Sequence, residues 1–279
     1  MRACALLIVA GLVGLGSAVA HGQSGPAKPA SPQFRVCADP ANMPFSNEKG
    51  EGFENKIATL IARDFGATPS YIWWGQRQGF IRNTMNATLK EGRCDFVMGV
   101  PDKYDLVATT RPYYRSTYVF VYAKGKGLSL RSLDDQVLKK LKIGVHLLGD
   151  DYTNPPPVHA LGKRGIVDNV VGFKTFYSAE NPPSAIIDAV ANGTIDVAIV
   201  WGPIGGYFAK RQRVPLEVVS IPSGKGDLPF AFDIAMGVKK GNDALGARLA
   251  EALNRRQAEI EQILIAYGVP LLQPVSKSK

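Results

Sequence analysis

Short apolar runs alternate with helical patterns along this chain from residue 34 onward. Such alternation is typical of parallel strands joined by crossover helices, not of an all-β or all-α fold. A helix that ends at Gly66 and a second one over about 79–91 are predicted from apolar residues at helical spacing and from the glycines that follow them. The strands around them, which complete one βαβαβ unit, are predicted as FRVCA (34–38), YIWW (71–74) and DFVMGV (95–100).

The same order of elements repeats in the second part of the chain, after an alternating strand TYVFVYAK (117–124). One helix is predicted to begin at the prolines near 155–157 and another to lie near 183–192. One long amphipathic helix is predicted over 242–267. Two similar units joined by two extended strands predict a two-lobed α/β fold with a hinge and a cleft at the carboxyl ends of both sheets. The strands of this part are predicted as KIGVH (142–146), VVGFKTF (170–176), DVAIVW (196–201), LEVVSIP (216–222) and FDIAMGVKKG (232–241).

The first twenty residues predict a secretory signal. Arg2 supplies positive charge, residues 6–15 form a short apolar run, and a small-residue site predicts cleavage near Ala20, hence export to the periplasm. No other stretch approaches the roughly 18 uninterrupted apolar residues of a membrane span. The predicted organisation is a signal peptide over 1–20, a flexible segment over 21–33, lobe 1 over 34–122 with 232–279, and lobe 2 over 123–231.

Charge and motif spacing exclude several function classes. The chain carries 33 basic and 24 acidic residues, but the charge is dispersed and no nucleic-acid-binding motif occurs, so nucleic acid is not an expected partner. No HExxH spacing, GxSxG elbow or phosphate-binding glycine loop is present. We therefore expect no metal, no cofactor and no enzyme activity. The catalytic alternative is an enzyme on this fold, such as a prephenate-type dehydratase, with His146 or a cleft carboxylate in the reaction.

Two cysteines, Cys37 and Cys94, remain after the predicted cleavage. An oxidising compartment makes a disulfide between them the expected state. A bridge needs the two α-carbons within roughly 7 Å, whereas Cys37 falls late in its strand and Cys94 at the entrance of another. Free thiols are therefore the alternative.

Several stretches resemble the polar-amino-acid type of extracellular solute-binding proteins over roughly 34–270: DPANMPFSNEKGEGFENKIATLIARDFG, CDFVMGVP and RPYYRSTYVFVYAKG. Others, RVCADPANMPFSN, WWGQRQGFIRNTMNATLKEGRCDFVMGVP, YDLVATTRPYYRSTYVFV and GDDYTNPPPVHALGKRGI, are similar to a side branch of that family. This branch comprises the MoxJ and XoxJ type of proteins, encoded with PQQ-dependent methanol dehydrogenases.

The resemblance implies the periplasmic binding protein type II fold, with two α/β lobes joined by a two-strand hinge. It also implies a non-enzymatic accessory protein in the maturation or activation of a calcium- or lanthanide-dependent methanol dehydrogenase. That dehydrogenase is the implied partner, and its cytochrome c is a second candidate. The alternative is a solute receptor of an ABC importer for a small organic ligand.

The charged clamp of the polar-amino-acid binders is altered in this sequence. The resemblance places Lys103 where those proteins hold the ligand carboxylate with an arginine, and no acidic residue follows the strand that runs into Trp201 and Gly202. A lysine is a point charge and cannot reproduce a bidentate guanidinium contact. A free amino acid is therefore not the expected ligand.

We expect an aromatic cleft mouth that binds a peptide, a small ligand or a protein surface, because aromatic residues fall at or just beyond predicted strand ends. If Trp73 and Trp74 alternate, one of them packs in the core. Packing of a tyrosine pair at the hinge is the structural alternative for the RPYYR stretch at Arg111. The predicted cleft or partner-binding residues are Asp39, Asn42, Phe45, Trp73, Trp74, Arg77, Tyr104, Arg111, His146 and Trp201.

Two features near the predicted cleft have alternative interpretations. Asn154 before three prolines predicts a capped helix start with Pro155 in the first turn, and an uncapped helix start facing the cleft would instead bind an anion. Glu51 and Glu54 lie near the cleft by resemblance, but Glu54 is equally a first-turn carboxylate that offsets the helix dipole.

Overall fold

The computed structural model describes residues 33–76, 79–85, 93–147 and 154–273, which belong to one compact unit, Ser31–Lys279. The predicted signal peptide and nearly all of the segment 21–33 lie outside these ranges. Among these residues, the structure has no apolar helix of the length that a membrane span requires. The division into two lobes at the predicted boundaries stays a prediction.

The strands and helices alternate as the hydrophobic pattern predicts. In chain order the described strands are β1 (Gln33–Ala38), β2 (Ala41–Asn42), β3 (Ser46–Asn47), β4 (Thr68–Trp73), β5 (Phe96–Pro101), β6 (Ala108–Thr109), β7 (Tyr114–Ala123), β8 (Ile143–Leu147), β9 (Val170–Lys174), β10 (Val197–Trp201), β11 (Leu216–Ser220) and β12 (Ala231–Val238). The helices are α1 (Phe53–Asp64), α2 (Phe80–Thr84), α3 (Pro156–Lys163), α4 (Ala185–Ala191), α5 (Gly202–Ala209), α6 (Asp243–Arg255) and α7 (Gln257–Ala266), and a short 3-10 helix covers Gln136–Lys140.

Ten strands form one sheet, in which β4-β1-β5-β12-β7-β10-β8-β9 are neighbours, with β11 paired to β7 and β6 to β12. β1, β4 and β5 are parallel, and so are β8, β9 and β10. The long strand β7 joins these two groups. Its first part pairs with β12 and its second part with β10 and β11. The sheet therefore has two halves that meet along β7.

Each half of the sheet has its own buried apolar clusters. In the first half, α1 places Phe53, Ile57 and Ile61 against β5 and β12, which follows from the helical spacing of its apolar residues. In the second half, residues of β7, β8 and β10 pack against α3 on one face and α4 and α5 on the other.

The C-terminal helix predicted over 242–267 is two helices. They are interrupted at Arg256, whose backbone angles are φ −100° and ψ 11°. The Arg256 guanidinium donates to Asp64 at 2.6 Å and to Glu259 at 2.8 Å. Leu253 before the break and Ile260 after it are both buried against the core of α1, so the interruption preserves the apolar face while Arg256 binds Asp64.

Other boundaries also differ from the predicted ones. β4 begins three residues earlier than the run 71–74 and ends at Trp73, and α2 is described only over Phe80–Thr84, since 86–92 lie outside the described ranges. The helix α5 was not predicted, because its sequence GPIGGYFA contains a proline and three glycines and therefore has the composition of a turn.

The predicted disulfide is confirmed. Cys37 and Cys94 are bonded, with their α-carbons 5.5 Å apart. Cys37 pairs with Val97 between the adjacent parallel strands β1 and β5, and Cys94 lies two residues before β5. Adjacent strands place the two residues within the distance that a bridge requires. Both are buried, next to Phe80 and Met85.

Candidate functional site

A cavity of about 460 Å³ lies where the carboxyl ends of β5, β8 and β10 converge. Residues from both halves of the sheet form its walls, so it is at the place where the alternating pattern predicts a cleft. We call it the aromatic cavity. It is lined by Asn42, Gln76, Gly99, Pro101, Tyr118, His146, Pro155, Thr175, Tyr177, Trp201, Ile204, Phe232 and Ile234.

Three aromatic rings form one wall of the aromatic cavity. The ring of Trp201 lies 5.3 Å from that of Tyr118 and 5.9 Å from that of Phe232, with interplanar angles of 63° and 64°. These edge-to-face arrangements are favourable for aromatic quadrupoles. Since Tyr118 belongs to β7 and Phe232 to β12, the wall is built on the two strands that join the halves of the sheet.

An amide pair forms a polar part of the wall. Asn42 is buried, and its Nδ2 donates to Oε1 of Gln76 at 2.6 Å. Asp39, also buried, accepts hydrogen bonds from the backbone N–H groups of Ala41 and Gln76. Asp39 therefore positions the Gln76 backbone at the cavity, and both of its carboxylate oxygens have a donor.

His146 lies at the end of β8 and has only 8% of its surface exposed. Burial lowers the pKa of its imidazole to about 4, because the charged form loses its hydration there. Its ring lies 6.3 Å from that of Tyr177. Neither side chain has a hydrogen-bond partner among the described residues. At neutral pH, His146 is an uncharged donor and acceptor in the cavity wall.

The start of α3 lies beside the aromatic cavity. The helix cap is Pro155 and not Asn154, and no side chain caps the helix. The prediction that Asn154 is the cap was therefore wrong; the prolines shift the helix start by one residue. Pro156 and Pro157 carry no N–H, and the Val158 N–H donates to the Pro155 carbonyl at 2.9 Å. The helix start has no free donor for an anion, which argues against the anion-binding alternative.

Glu54 lies in the first turn of α1 and is half-buried. A β-carbon on Gly99 would overlap the Glu54 carboxyl, so the absence of a side chain at Gly99 makes room for this carboxyl immediately behind the cavity wall. Gly99 has φ +71°, a conformation that L residues rarely adopt. Burial raises the pKa of Glu54 to about 8, so this carboxyl is mostly protonated at neutral pH. It has no hydrogen-bond partner within the described ranges.

The predicted cleft residues are distributed unevenly around the aromatic cavity. Asn42, His146 and Trp201 line it, and Asp39 binds the backbone of the lining residue Gln76. Phe45 does not line it; its ring packs 5.2 Å from that of Phe53. Arg77 lies outside the described residues. For all of them, a role in ligand or partner binding stays a prediction.

The other predicted residues lie away from the cavity lining. Trp73 stacks on Tyr71 with ring centroids 4.6 Å apart, whereas Trp74 is exposed, with the Arg93 guanidinium 5.9 Å from its ring. The two tryptophans therefore have different surroundings, but Trp73 is half-buried on Tyr71 and is not part of a buried core cluster. Tyr104 is exposed.

Arg111 donates a hydrogen bond to Asn254 and lines a second cavity of about 590 Å³. Tyr113 and Tyr114 are buried in the core of α1. They are packed, as the structural alternative predicts, but within the first half of the sheet and not between the two halves. In the same region Arg115 and Asp233 form an ion pair at 2.7 Å.

Several residues of the aromatic cavity are not among the predicted cleft residues. Tyr177 follows β9 by three residues, so the same rule of strand carboxyl ends could have found it. Tyr118 and Phe232 lie within strands, and no local signal distinguishes them from core residues. Their place in the wall is set by the pairing of β7 with β12.

The position of the altered amino-acid clamp lies outside the aromatic cavity. Lys103 is exposed, has φ 60° and is not a lining residue. Its backbone N–H donates to Asp102 and Thr109, which stabilises the turn after β5. After β10, where the resemblance calls for a carboxylate, the chain enters α5 directly. Among the described residues, no cluster of His, Cys, Asp and Glu could hold a metal ion.

Comparison with known families and structures gives a consistent result. The model of the bacterial extracellular solute-binding proteins, family 3, matches residues 34–268. Protein MoxJ of Methylorubrum extorquens is 31% identical over 261 residues, which cover 90% of this chain and 85% of that protein.

Two solved structures are similar over most of the chain. The crystal structure of the periplasmic binding protein XoxJ from Methylobacterium extorquens AM1 has 37% sequence identity and a TM-score of 0.71, covering 86% of this chain and 100% of that one. The crystal structure of MxaJ from Methlophaga aminisulfidivorans MPT has 26% identity and a TM-score of 0.74, with the same coverage.

Proposed function

Because this chain belongs to family 3 of the bacterial extracellular solute-binding proteins, we propose that it is a non-enzymatic periplasmic protein that assists a PQQ-dependent methanol dehydrogenase. Similarity to Protein MoxJ over 90% of the chain supports the link to a methanol dehydrogenase system. The proposed role is in maturation or activation of the enzyme, and the cytochrome c of that system is a second candidate partner.

The observation that carries this proposal is the position of Lys103. In this family an arginine at this place would hold an amino-acid carboxylate, but here the residue is an exposed lysine outside the cavity lining. The acidic half of the clamp is replaced by the start of α5. Because both parts of the amino-acid clamp are missing, we infer that this protein binds something other than a free amino acid. Similarity to the MoxJ proteins supports a methanol dehydrogenase as that partner.

We place the contact with the dehydrogenase on the exposed aromatic residues at the rim of the first half of the sheet. Trp74 and Tyr104 are both exposed large side chains, and Arg93 lies over the Trp74 ring. Tryptophan, tyrosine and arginine are the side chains that most often anchor protein interfaces. We also propose that the chain has two lobes, 34–122 with 232–279 and 123–231, and that β7 and β12 are the strands that join them.

Removal of this protein from its host tests the proposal. In a deletion strain we expect methanol dehydrogenase activity to fall, with recovery when the wild-type chain is restored. The tagged chain should also co-purify with the dehydrogenase from the periplasmic fraction. Unchanged activity in the deletion strain, together with no co-purification, would refute the accessory role.

A second candidate function is that of a solute receptor for an ABC importer, which the aromatic cavity of about 460 Å³ favours. Cavities of this size are typical of small-molecule sites. A ligand bound at micromolar affinity, and loss of its uptake in the deletion strain with dehydrogenase activity unchanged, would support this function over the first.

A further inference from the structure

The residues that follow α7, which we call the C-terminal segment (267–272), contact both halves of the sheet. At its beginning, the Val269 N–H donates to the Leu264 carbonyl of α7 at 3.0 Å. The side chains of Val269 and Leu264 are both buried in the core of the first half. The beginning of the C-terminal segment is therefore fixed to that half.

Further along, the C-terminal segment lies beside β7, the strand at which the two halves meet. The Ser116 hydroxyl donates to the Pro270 carbonyl at 2.7 Å. The Leu272 N–H donates to the Arg115 carbonyl at 2.9 Å. Two consecutive residues of β7 thus hold the segment next to the strand.

The C-terminal segment also packs against α5, which belongs to the second half. Gly206 and Gly268 are in backbone contact, because a β-carbon on Gly206 would overlap the Gly268 carbonyl oxygen. The rings of Tyr207 and Tyr267 stack, with centroids 5.5 Å apart and an interplanar angle of 17°. The Arg211 guanidinium lies 3.5 Å from the centroid of the Tyr207 ring, so the stack is held on the α5 side by a further contact.

Tyr267 contacts both halves at once. Besides its stack on Tyr207, its ring lies 5.9 Å from that of Phe53 in α1, at an interplanar angle of 78°. Its hydroxyl donates to the Glu51 carbonyl. A rotation of one half relative to the other would therefore separate Tyr267 from its contacts in one half or in the other. Packed groups of this kind change between discrete arrangements and do not deform continuously.

Two other aromatic side chains contact the cores of both halves. Phe45 and Trp201 each pack against the buried cluster around α1 and against the cluster of α4 and α5. The two halves are therefore connected by side-chain packing and by the C-terminal segment, in addition to the strands β7 and β12.

We infer that the C-terminal segment fixes the relative orientation of the two halves, so that the mouth of the aromatic cavity keeps one width in solution. With only β7 and β12 between them the halves would be free to rotate, because a few residues in two strands can absorb such a motion. This inference goes beyond the proposed function, since it requires no dehydrogenase. A protein partner would gain from the rigidity, because a surface that is ordered before binding loses less freedom on binding.

The distance between two spin labels, measured by pulsed electron paramagnetic resonance on the full mature chain, tests this inference. The labels are attached at Asp105→Cys and Lys174→Cys, two exposed positions at or beyond the carboxyl ends of β5 and β9, one in each half. We expect one narrow distance distribution, which becomes broader by about twofold or more when Tyr267→Ala removes the link. A broad or double distribution before that substitution would overturn the inference, and so would an unchanged distribution after it.

Tyr71→Ala is the matched control. Tyr71 also stacks on an aromatic ring, that of Trp73 at 4.6 Å, and packs against the core of the first half. Its loss removes a similar contact within one half and should leave the distance distribution unchanged. If Tyr267→Ala does not fold, Tyr207→Ala removes the same stack from the α5 side. Equal broadening in the control and in the variant of the stack would contradict the inference.

Discussion

Gly206 of α5 and Gly268 beyond α7 are in direct backbone contact, because a β-carbon on Gly206 would overlap the carbonyl oxygen of Gly268. Beside this contact, Tyr207 stacks on Tyr267 with ring centroids 5.5 Å apart. The glycines of α5 thus allow the helix to approach the C-terminal segment more closely than any larger residue would. The contact connects the second half of the sheet to the C-terminal segment.

Gly206→Ala should therefore destabilise the protein. The added methyl group meets backbone and not a movable side chain, so we expect a loss of about 1–3 kcal/mol in the free energy of unfolding, measured by urea titration. Gly162→Ala is the control, because a β-carbon there meets nothing within 4 Å; within α3 it should be neutral or stabilise by up to about 1 kcal/mol. If Gly206→Ala and Gly162→Ala unfold with the same free energy, the contact between Gly206 and Gly268 leaves room for a methyl group, contrary to this prediction.

Glu54 should make stability depend on pH. Its pKa is raised by burial from 4.5 to about 8, so between these values the unfolded chain releases a proton that the folded chain retains. Stability therefore falls as pH rises from about 4.5 to 8, by about 2–4 kcal/mol in total. Glu54→Gln removes this titration.

The measurement is the free energy of unfolding of Glu54→Gln and wild type across that pH range. The stability of the variant relative to wild type should increase from pH 5 to pH 8. Glu51→Gln is the control, because it makes the same substitution at an exposed residue. Parallel profiles of wild type and Glu54→Gln would contradict the raised pKa.

The Cys37–Cys94 bond closes a loop across 57 positions of the chain. Removal of such a crosslink increases the entropy of the unfolded chain, and we expect Cys37→Ala with Cys94→Ala to cost about 4 kcal/mol. Intact-mass analysis of the alkylated mature protein should detect no free thiol without a reductant. Two alkylated cysteines in the native protein would contradict the bond.

Trp74 should contribute to dehydrogenase binding without supporting the fold. Its side chain is 37% exposed, so Trp74→Ala should leave the melting temperature unchanged while it weakens binding by about 2 kcal/mol, the size of an interface anchor. Trp201→Ala is the contrasting variant, because Trp201 packs against two core clusters and its loss should lower the melting temperature as well. If the folded Trp74→Ala variant binds the dehydrogenase with unchanged affinity, Trp74 is not part of the interface.

Common amino acids should not stabilise the protein, because the clamp position Lys103 is outside the aromatic cavity. A ligand present at 100 times its Kd would add about 2.7 kcal/mol to the free energy of unfolding. Thermal unfolding with each of the twenty amino acids in turn should therefore show no large shift. A large rise in melting temperature with any one of them would restore the amino-acid receptor as the leading function.

Local patterns in the sequence were sufficient to predict most of the strands and the overall class of the fold. The runs 34–38 and 95–100 correspond to β1 and β5 because a buried parallel strand is apolar along its whole length, a signal that does not depend on its partners. The disulfide followed from two cysteines in a chain that the sequence predicts to be exported. Similar local signals placed Asn42, His146 and Trp201 near strand ends, and they line the cavity.

Tertiary contacts decided the remaining features. Proline and glycines in GPIGGYFA resemble a turn, and only close packing against β7 and the Gly268 segment makes this sequence a helix. Tyr118 and Phe232 lie together in the cavity wall because β7 pairs with β12. The paired residues of these two strands are more than 100 positions apart in the chain. Periodicity reports which residues are buried, but not which distant residues meet. The chemistry of the aromatic cavity therefore emerged only when both halves of the sheet were assembled.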